Sequence, residues 1–153
     1  MIESWIDAVA KVFEIDDGHF GQVRSYHIFD RAELPEALSE FPCAISYIQG
    51  MRPVYSAGGL SYIAWSGVTE FHLTSDTQKS HIPYVMRFFG RVLAAVAGNA
   101  RLDGAPVKHF IVPQEENALQ FFTGAFGSAP EHYGILAHWE VTEDVSATLT
   151  VAP

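Results

Sequence analysis

The segment SHIPYVMRFFGRVLAAVAGN, residues 80–99, decides the fold because it carries the strongest helix signal in the chain. Its apolar residues recur at three- and four-residue steps, which is the spacing of one face of an α-helix. Ser80 is placed to cap this helix, Pro83 suits its first turn, and Gly98 with Asn99 supplies its end. We expect its buried stripe to consist of Ile82, Val85, Met86, Phe89, Leu93 and Val96.

Strand-like segments lie on both sides of this predicted helix. YGILAHWEV, residues 133–141, alternates most cleanly, with four apolar residues from Ile135 to Val141 on one face. An amphipathic helix is predicted over residues 2–14, and Asp16-Asp17-Gly18 is interpreted as the turn that ends it. Further strands are predicted over residues 25–29, 43–48, 60–74, 107–112, 119–122 and 146–151. Residues 60–74 form either one long bent strand or two paired strands around Ser66-Gly67.

The order of these segments is helix, several strands, long helix, several strands. It predicts an α+β fold: a mostly antiparallel β-sheet with an N-terminal helix and one long central helix packed on it. The chain has 153 residues and contains no internal repeat or linker, so one domain over residues 1–153 is expected. Residues 141–153 either belong to this domain or form an extended arm.

Two connections combine glycine with residue types that protein interfaces enrich, namely Tyr, Phe, Met and Arg. The first is QGMRPVYSAGG, residues 49–59, and the second lies within residues 113–132. Either these side chains contact a partner or most of them belong to the core of a domain that has 20 aromatic residues. The candidates for a subunit or partner interface are Met51, Arg52, Tyr55, Phe121, Phe122 and Phe126.

Arg87 and Arg91 stand four residues apart on the long helix and add a basic stripe to these candidates. The stripe either faces an acidic neighbour or is an ordinary solvent-exposed face. The net charge of the chain is −9, which is poorly suited to gripping duplex DNA or an anionic membrane surface. No apolar run approaches the ~20 residues that a membrane-spanning helix needs.

Chemical motifs are missing from the sequence. No pair among the seven histidines has the spacing of a zinc-binding helix, although His72 and His138 fall in predicted strands that could converge. The single cysteine, Cys43, is expected to be buried, and the adjacent Glu143 and Asp144 are expected to lie in a solvated loop. The sequence therefore predicts no catalytic, cofactor-binding or metal-binding residue and a protein that is not an enzyme.

The layout of the chain resembles the tail-terminator proteins, and the related neck proteins, of long-tailed bacteriophages. The segments that carry this resemblance are LPEALSEFPCAISYI, YSAGG with LSYIAWSGVTEFHLT, IPYVMRFFGRVLAAVAGN and HYGILAHWEVTED. It implies a virion protein, made in the host cytoplasm, that forms a homohexameric ring on the tail tube. Such a ring contacts tail-tube and head-connector proteins and lets DNA pass through its pore without specific binding.

Two alternatives follow from the residues alone. The abundance of His, Tyr and Trp is compatible with a small α+β ligand-binding domain or enzyme whose pocket these residues line. A cytosolic adaptor that pairs with a host protein differs from a ring protein only in its partner and symmetry.

Overall fold

The fold is α+β, as the order of segments predicts. A computed structural model describes residues 2–29, 40–102, 107–124 and 131–144. Its helices are α1 (Ile2–Val12) and α2 (Ile82–Ala97), with a 3-10 turn at Lys79–His81. Its strands are β1 (Asp16–Asp17), β2 (Gly21–Gln22), β3 (Arg24–His27), β4 (Cys43–Ser56), β5 (Gly59–His72), β6 (Val107–Ile111), β7 (Leu119–Gly124) and β8 (His132–Asp144).

Six of these strands form one sheet in the order β3-β4-β5-β8, with β6 and β7 both paired to the far side of β8. The neighbours are antiparallel except β3 and β4, which run parallel. β1 and β2 form a separate small hairpin, so Asp16 and Asp17 belong to a strand and the predicted turn at these two residues is wrong.

Both helices pack on one face of the sheet, which we call the helix face. From α1, the side chains of Trp5, Ile6 and Val9 are buried there. Trp5 meets the edge of Trp139 from β8, with ring centroids 6.2 Å apart. The main core is therefore a layer of apolar side chains between the helices and the sheet. A smaller buried cluster of Ile28, Ile45, Tyr47 and Val68 lies on the other face of the sheet.

The long helix exists, but its predicted stripe is partly wrong. Its buried residues are Val85, Phe88, Val92 and Val96, whereas Met86 and Leu93 are 45% and 47% exposed. Two apolar stripes run side by side along α2, and the sheet covers one of them. Ser80 does not cap the helix, because the residue before its first turn is His81, which makes no capping side-chain hydrogen bond.

The largest departure from prediction concerns residues 49–59. They were expected to form a flexible connection, but residues 49–56 continue β4, and only Ala57 and Gly58 form the turn into β5. At the other end of the chain, residues 141–144 lie inside β8, paired to β5 and β6, and are not an arm. The predicted strand at 146–151 lies outside the described residues, and no described helix is long and apolar enough to cross a membrane.

Candidate functional site

The outer half of the β4–β5 hairpin extends beyond its neighbouring strands, and we call residues 49–61 the distal ribbon. On one side β3 pairs with β4 only as far as Ser46, and on the other side β8 begins to pair with β5 at Tyr62. Within the described part of the chain, no strand covers either outer edge of the distal ribbon. Gly59 follows the turn of the ribbon with a φ of +109°, a backbone conformation that is strained for any residue with a side chain.

Three of the predicted interface residues lie on this ribbon. Met51 and Tyr55 are 52% and 70% exposed, and the Arg52 side chain is 63% exposed. Exposed apolar side chains in a row of this kind mark surfaces that contact other proteins. The structure thus places Met51, Arg52 and Tyr55 together, although on a paired strand and not in a loop.

The two faces of the distal ribbon differ. Met51 is opposite Trp65, whose ring lies 6.2 Å from Trp5, so Met51 shares the helix face. Arg52 is on the other face, where its guanidinium lies 3.6 Å from the Glu140 carboxylate. The register shift between Val54 and Tyr55 comes from an extra residue on β5, Ser61, so the alternation along β4 continues and Tyr55 lies on the side of Met51.

Arg87 and Arg91 do not act as one stripe. The Arg91 Nε atom lies 2.7 Å from the Asp17 carboxylate, whose other oxygen accepts hydrogen bonds from the amides of His19 and Phe20. Arg91 therefore ties α2 to the β1–β2 hairpin. Arg87 instead lies over the ring of Tyr84, 5.2 Å from its centroid, a cation–π contact.

Phe121 and Phe122 are half-buried in β7 and pack within the domain. The ring of Phe121 lies 5.3 Å from that of Tyr133 on β8. Phe122 occupies the space above Gly134, where a Cβ would come within 2.5 Å of its ring. These two residues belong to the core and its margin, which is the alternative that the sequence left open, while Phe126 lies outside the described residues.

A second exposed apolar surface lies at the β6–β7 edge of the sheet, and we call it the α2–β6 groove. Leu93 forms one wall, and the connection from β6 to β7 forms the other. Two carboxylates, Glu115 and Glu116, stand exposed on this connection. The groove is lined by Leu93, Val112, Pro113, Gln114, Glu115, Glu116, Ala118 and Leu119.

A buried polar cluster lies on the face of the sheet away from the helices. The Tyr47 hydroxyl donates a hydrogen bond to Glu70 Oε2 at 2.6 Å. Glu70 Oε1 lies 3.2 Å from His72 Nε2, and His72 Nδ1 lies 2.7 Å from His132 Nε2. All four residues are at least 92% buried. The predicted convergence of His72 with His138 is wrong, because the register places His138 opposite Val68 and Gly134 opposite His72.

The single cysteine, Cys43, is buried and therefore not a reactive thiol. Burial, followed by the carboxylates of Glu40 and Glu70, raises the pKa of the Cys43 thiol to about 12. Cys43 is thus a buried thiol, as expected, and carries no thiolate nucleophile at neutral pH.

Glu143 was expected in a solvated loop but is fully buried in β8, where Trp65 donates a hydrogen bond to it at 2.9 Å.

Neither metal-ligand clusters nor relatives identify a reaction. The described ranges contain no group of three or more His, Cys, Asp or Glu side chains arranged to hold a metal ion. No protein-family model matches the sequence, and a comparison with curated proteins finds no match either.

Proposed function

We propose that this protein is a structural virion protein of the tail-terminator or neck type. In this proposal, copies of the chain form a ring, expected to be a homohexamer, that caps the tail tube and joins it to the head connector. The distal ribbon is the observation that carries the proposal. It presents Met51, Arg52 and Tyr55 to the surroundings on two paired strands.

A ring needs two unlike surfaces on each copy, because each copy contacts one neighbour with one surface and the next neighbour with the other. The distal ribbon and the α2–β6 groove are two such surfaces, and both expose apolar side chains. The net charge of −9 suits a pore through which DNA slides, since an acidic wall does not bind phosphates.

Light scattering coupled to size-exclusion chromatography tests this proposal. The expected particle has about six times the 16.9 kDa mass of the chain, and negative-stain images should show a ring. Because partner surfaces can nucleate assembly, the measurement is repeated with purified tail-tube protein of the same phage. A particle that stays monomeric at high concentration, alone and beside the tube protein, contradicts the proposal.

A ligand-binding domain or enzyme is the second candidate, and the buried polar cluster favours it. A Tyr–Glu–His–His chain of hydrogen-bonding groups is suited to proton movement when substrate can reach it. Thermal-shift screening against metabolites and divalent metals discriminates the two functions. Stabilisation by a small molecule that a Glu70→Gln variant no longer shows would support this candidate, and no stabilisation by any of them would weaken it.

A further inference from the structure

We propose that the distal ribbon of one copy docks in the α2–β6 groove of the next copy, with Tyr55 seated in the groove and Arg52 facing Glu115 and Glu116. This contact rests on the proposed ring and specifies the surfaces that build it. Each copy then uses its ribbon toward one neighbour and its groove toward the other.

Charge complementarity is the first argument for this occupant. Arg52 is the only charged residue in the distal ribbon, and the connection that walls the groove carries two carboxylates within four residues, Glu115 and Glu116. Copies with a net charge of −9 repel one another in general, so contact between them requires a local meeting of opposite charges. The Arg52 guanidinium is exposed, and its 3.6 Å approach to Glu140 leaves donors facing solvent.

The match of apolar surface is the second argument. Leu93 is 47% exposed at the groove and Tyr55 is 70% exposed on the ribbon, so each side presents a large side chain to water. The groove wall is held in place, because the amide of His138 on β8 donates to the Ala118 carbonyl at 2.8 Å. A groove wall held in this way loses little conformational entropy when a partner binds.

The positions of the two surfaces in the sheet are the third argument. The distal ribbon prolongs β4 and β5 beyond the ends of their neighbouring strands, and the groove lies beside β6 and β7 at the far edge of the sheet. A surface at the end of the strands that binds a different surface at an edge joins copies head to tail. This is the heterologous contact that closes into a ring after a fixed rotation.

Side-chain docking fits the ribbon better than addition of a strand to its edge. The outer edge of β4 beyond Ser46 is free of other described strands, which makes it a template for strand pairing. Pro53 lies in the middle of this edge and has no N–H to donate. Proline at such a position discourages strand addition, so Arg52 and Tyr55 are the groups that a partner recognises.

Two variants with reversed charges test the contact. An Arg52→Glu variant and a Glu115→Lys/Glu116→Lys variant are purified separately, and their assembly is followed by sedimentation velocity. Each variant alone places like charges at the contact, which should raise the concentration for half-assembly at least about tenfold. Mixing the two in equal amounts should restore assembly in alternating order. The ribbon of the Arg52→Glu variant then meets the lysine-bearing groove of the other variant, whose unaltered ribbon meets the unaltered groove of the Arg52→Glu variant.

Two substitutions of exposed aromatic residues provide a matched comparison. Tyr55→Ser should weaken assembly at least about tenfold because it removes the seated ring. Phe29→Ser should leave assembly unchanged, because Phe29 is 55% exposed but lies outside both the distal ribbon and the groove. Failure of the mixture to assemble better than its components refutes the docking. If the Arg52→Glu variant forms rings as well as the unaltered chain, the docking is also wrong but the ring remains. If the unaltered chain forms no ring under any condition, the docking and the proposed function fall together.

Discussion

Gly67 on β5 is a position at which one added methyl group should cost much stability. The indole ring of Trp139 lies directly on this glycine, and a Cβ built there would be 2.2 Å from the ring atoms Cη2 and Cζ2. The ring has little room to withdraw, because Trp5 and Phe110 pack against it with centroids 6.2 and 5.9 Å away. Its Nε1 also donates a hydrogen bond to the buried Thr69 hydroxyl at 3.0 Å.

The Gly67→Ala substitution should therefore lower the free energy of unfolding by about 2–4 kcal/mol. Overpacking of a core costs roughly 1–3 kcal/mol, and loss of the indole hydrogen bond adds about 1 kcal/mol. Gly90→Ala is the matched control, since a Cβ at Gly90 has nothing within 4 Å. In the exposed interior of α2 the added methyl group should stabilise the protein by about 1 kcal/mol.

Urea denaturation followed by circular dichroism measures both changes, and they should have opposite signs. Tryptophan fluorescence of the folded Gly67→Ala variant should also change, because the indole must move. If Gly67→Ala stays within about 0.5 kcal/mol of the unaltered protein, the range expected of ordinary surface substitutions, the close packing of Trp139 on β5 is refuted.

Three further predictions concern buried or paired polar groups. The pKa of the folded Cys43 thiol is about 12 against an ordinary 9.0, so the unfolded chain loses this proton first as the pH rises. The contribution of the thiol to stability is therefore complete below pH 9 and falls as the pH rises from 9 toward 12. Urea titrations should show a loss of about 1 kcal/mol per pH unit in this window, and the Cys43→Ala variant should lack it. Arg91→Met should cost about 1 kcal/mol by urea denaturation, because Asp17 is buried and loses its ion pair, and an equal cost for Arg87→Met would contradict this assignment. Trp65→Phe should cost about 1–3 kcal/mol, because it removes a donor from the fully buried Glu143 carboxylate, and a thermal melt that matches the unaltered protein would show that the hydrogen bond is dispensable.

The sequence predicts the elements of this fold better than their orientation. The strand at 133–141 and the helix at 80–99 are recognisable because each holds one period over many residues. The stripe of α2 is harder, since residues 85, 88, 92 and 96 compete with 82, 86, 89 and 93 and both sets have helical spacing. Only the shape of the sheet decides which set is buried, and the spacing of residues within one helix does not predict that shape.

The local sequence of the distal ribbon does not predict a strand, although pairing within the sheet forms one there. Gly50 and Pro53 argue against a strand, yet Gly50 follows an irregularity in the register and Pro53 lies on an edge where its missing N–H is tolerated. Glu143 carried a usable signal. The alternation that buries Trp139 and Val141 continues to this residue, so the same periodicity predicts an inward carboxylate.

Buried titratable groups and exposed apolar groups characterise the described part of the chain. Its linked titratable side chains, Tyr47, Glu70, His72 and His132, are buried, whereas a catalytic group must be reachable by substrate. Its large exposed apolar side chains include Tyr55 on the distal ribbon and Leu93 at the α2–β6 groove. Exposing such residues is unfavourable for an isolated molecule, and the net charge of −9 offsets the resulting tendency to aggregate. This distribution supports the proposal that copies of the chain bind one another through these two surfaces.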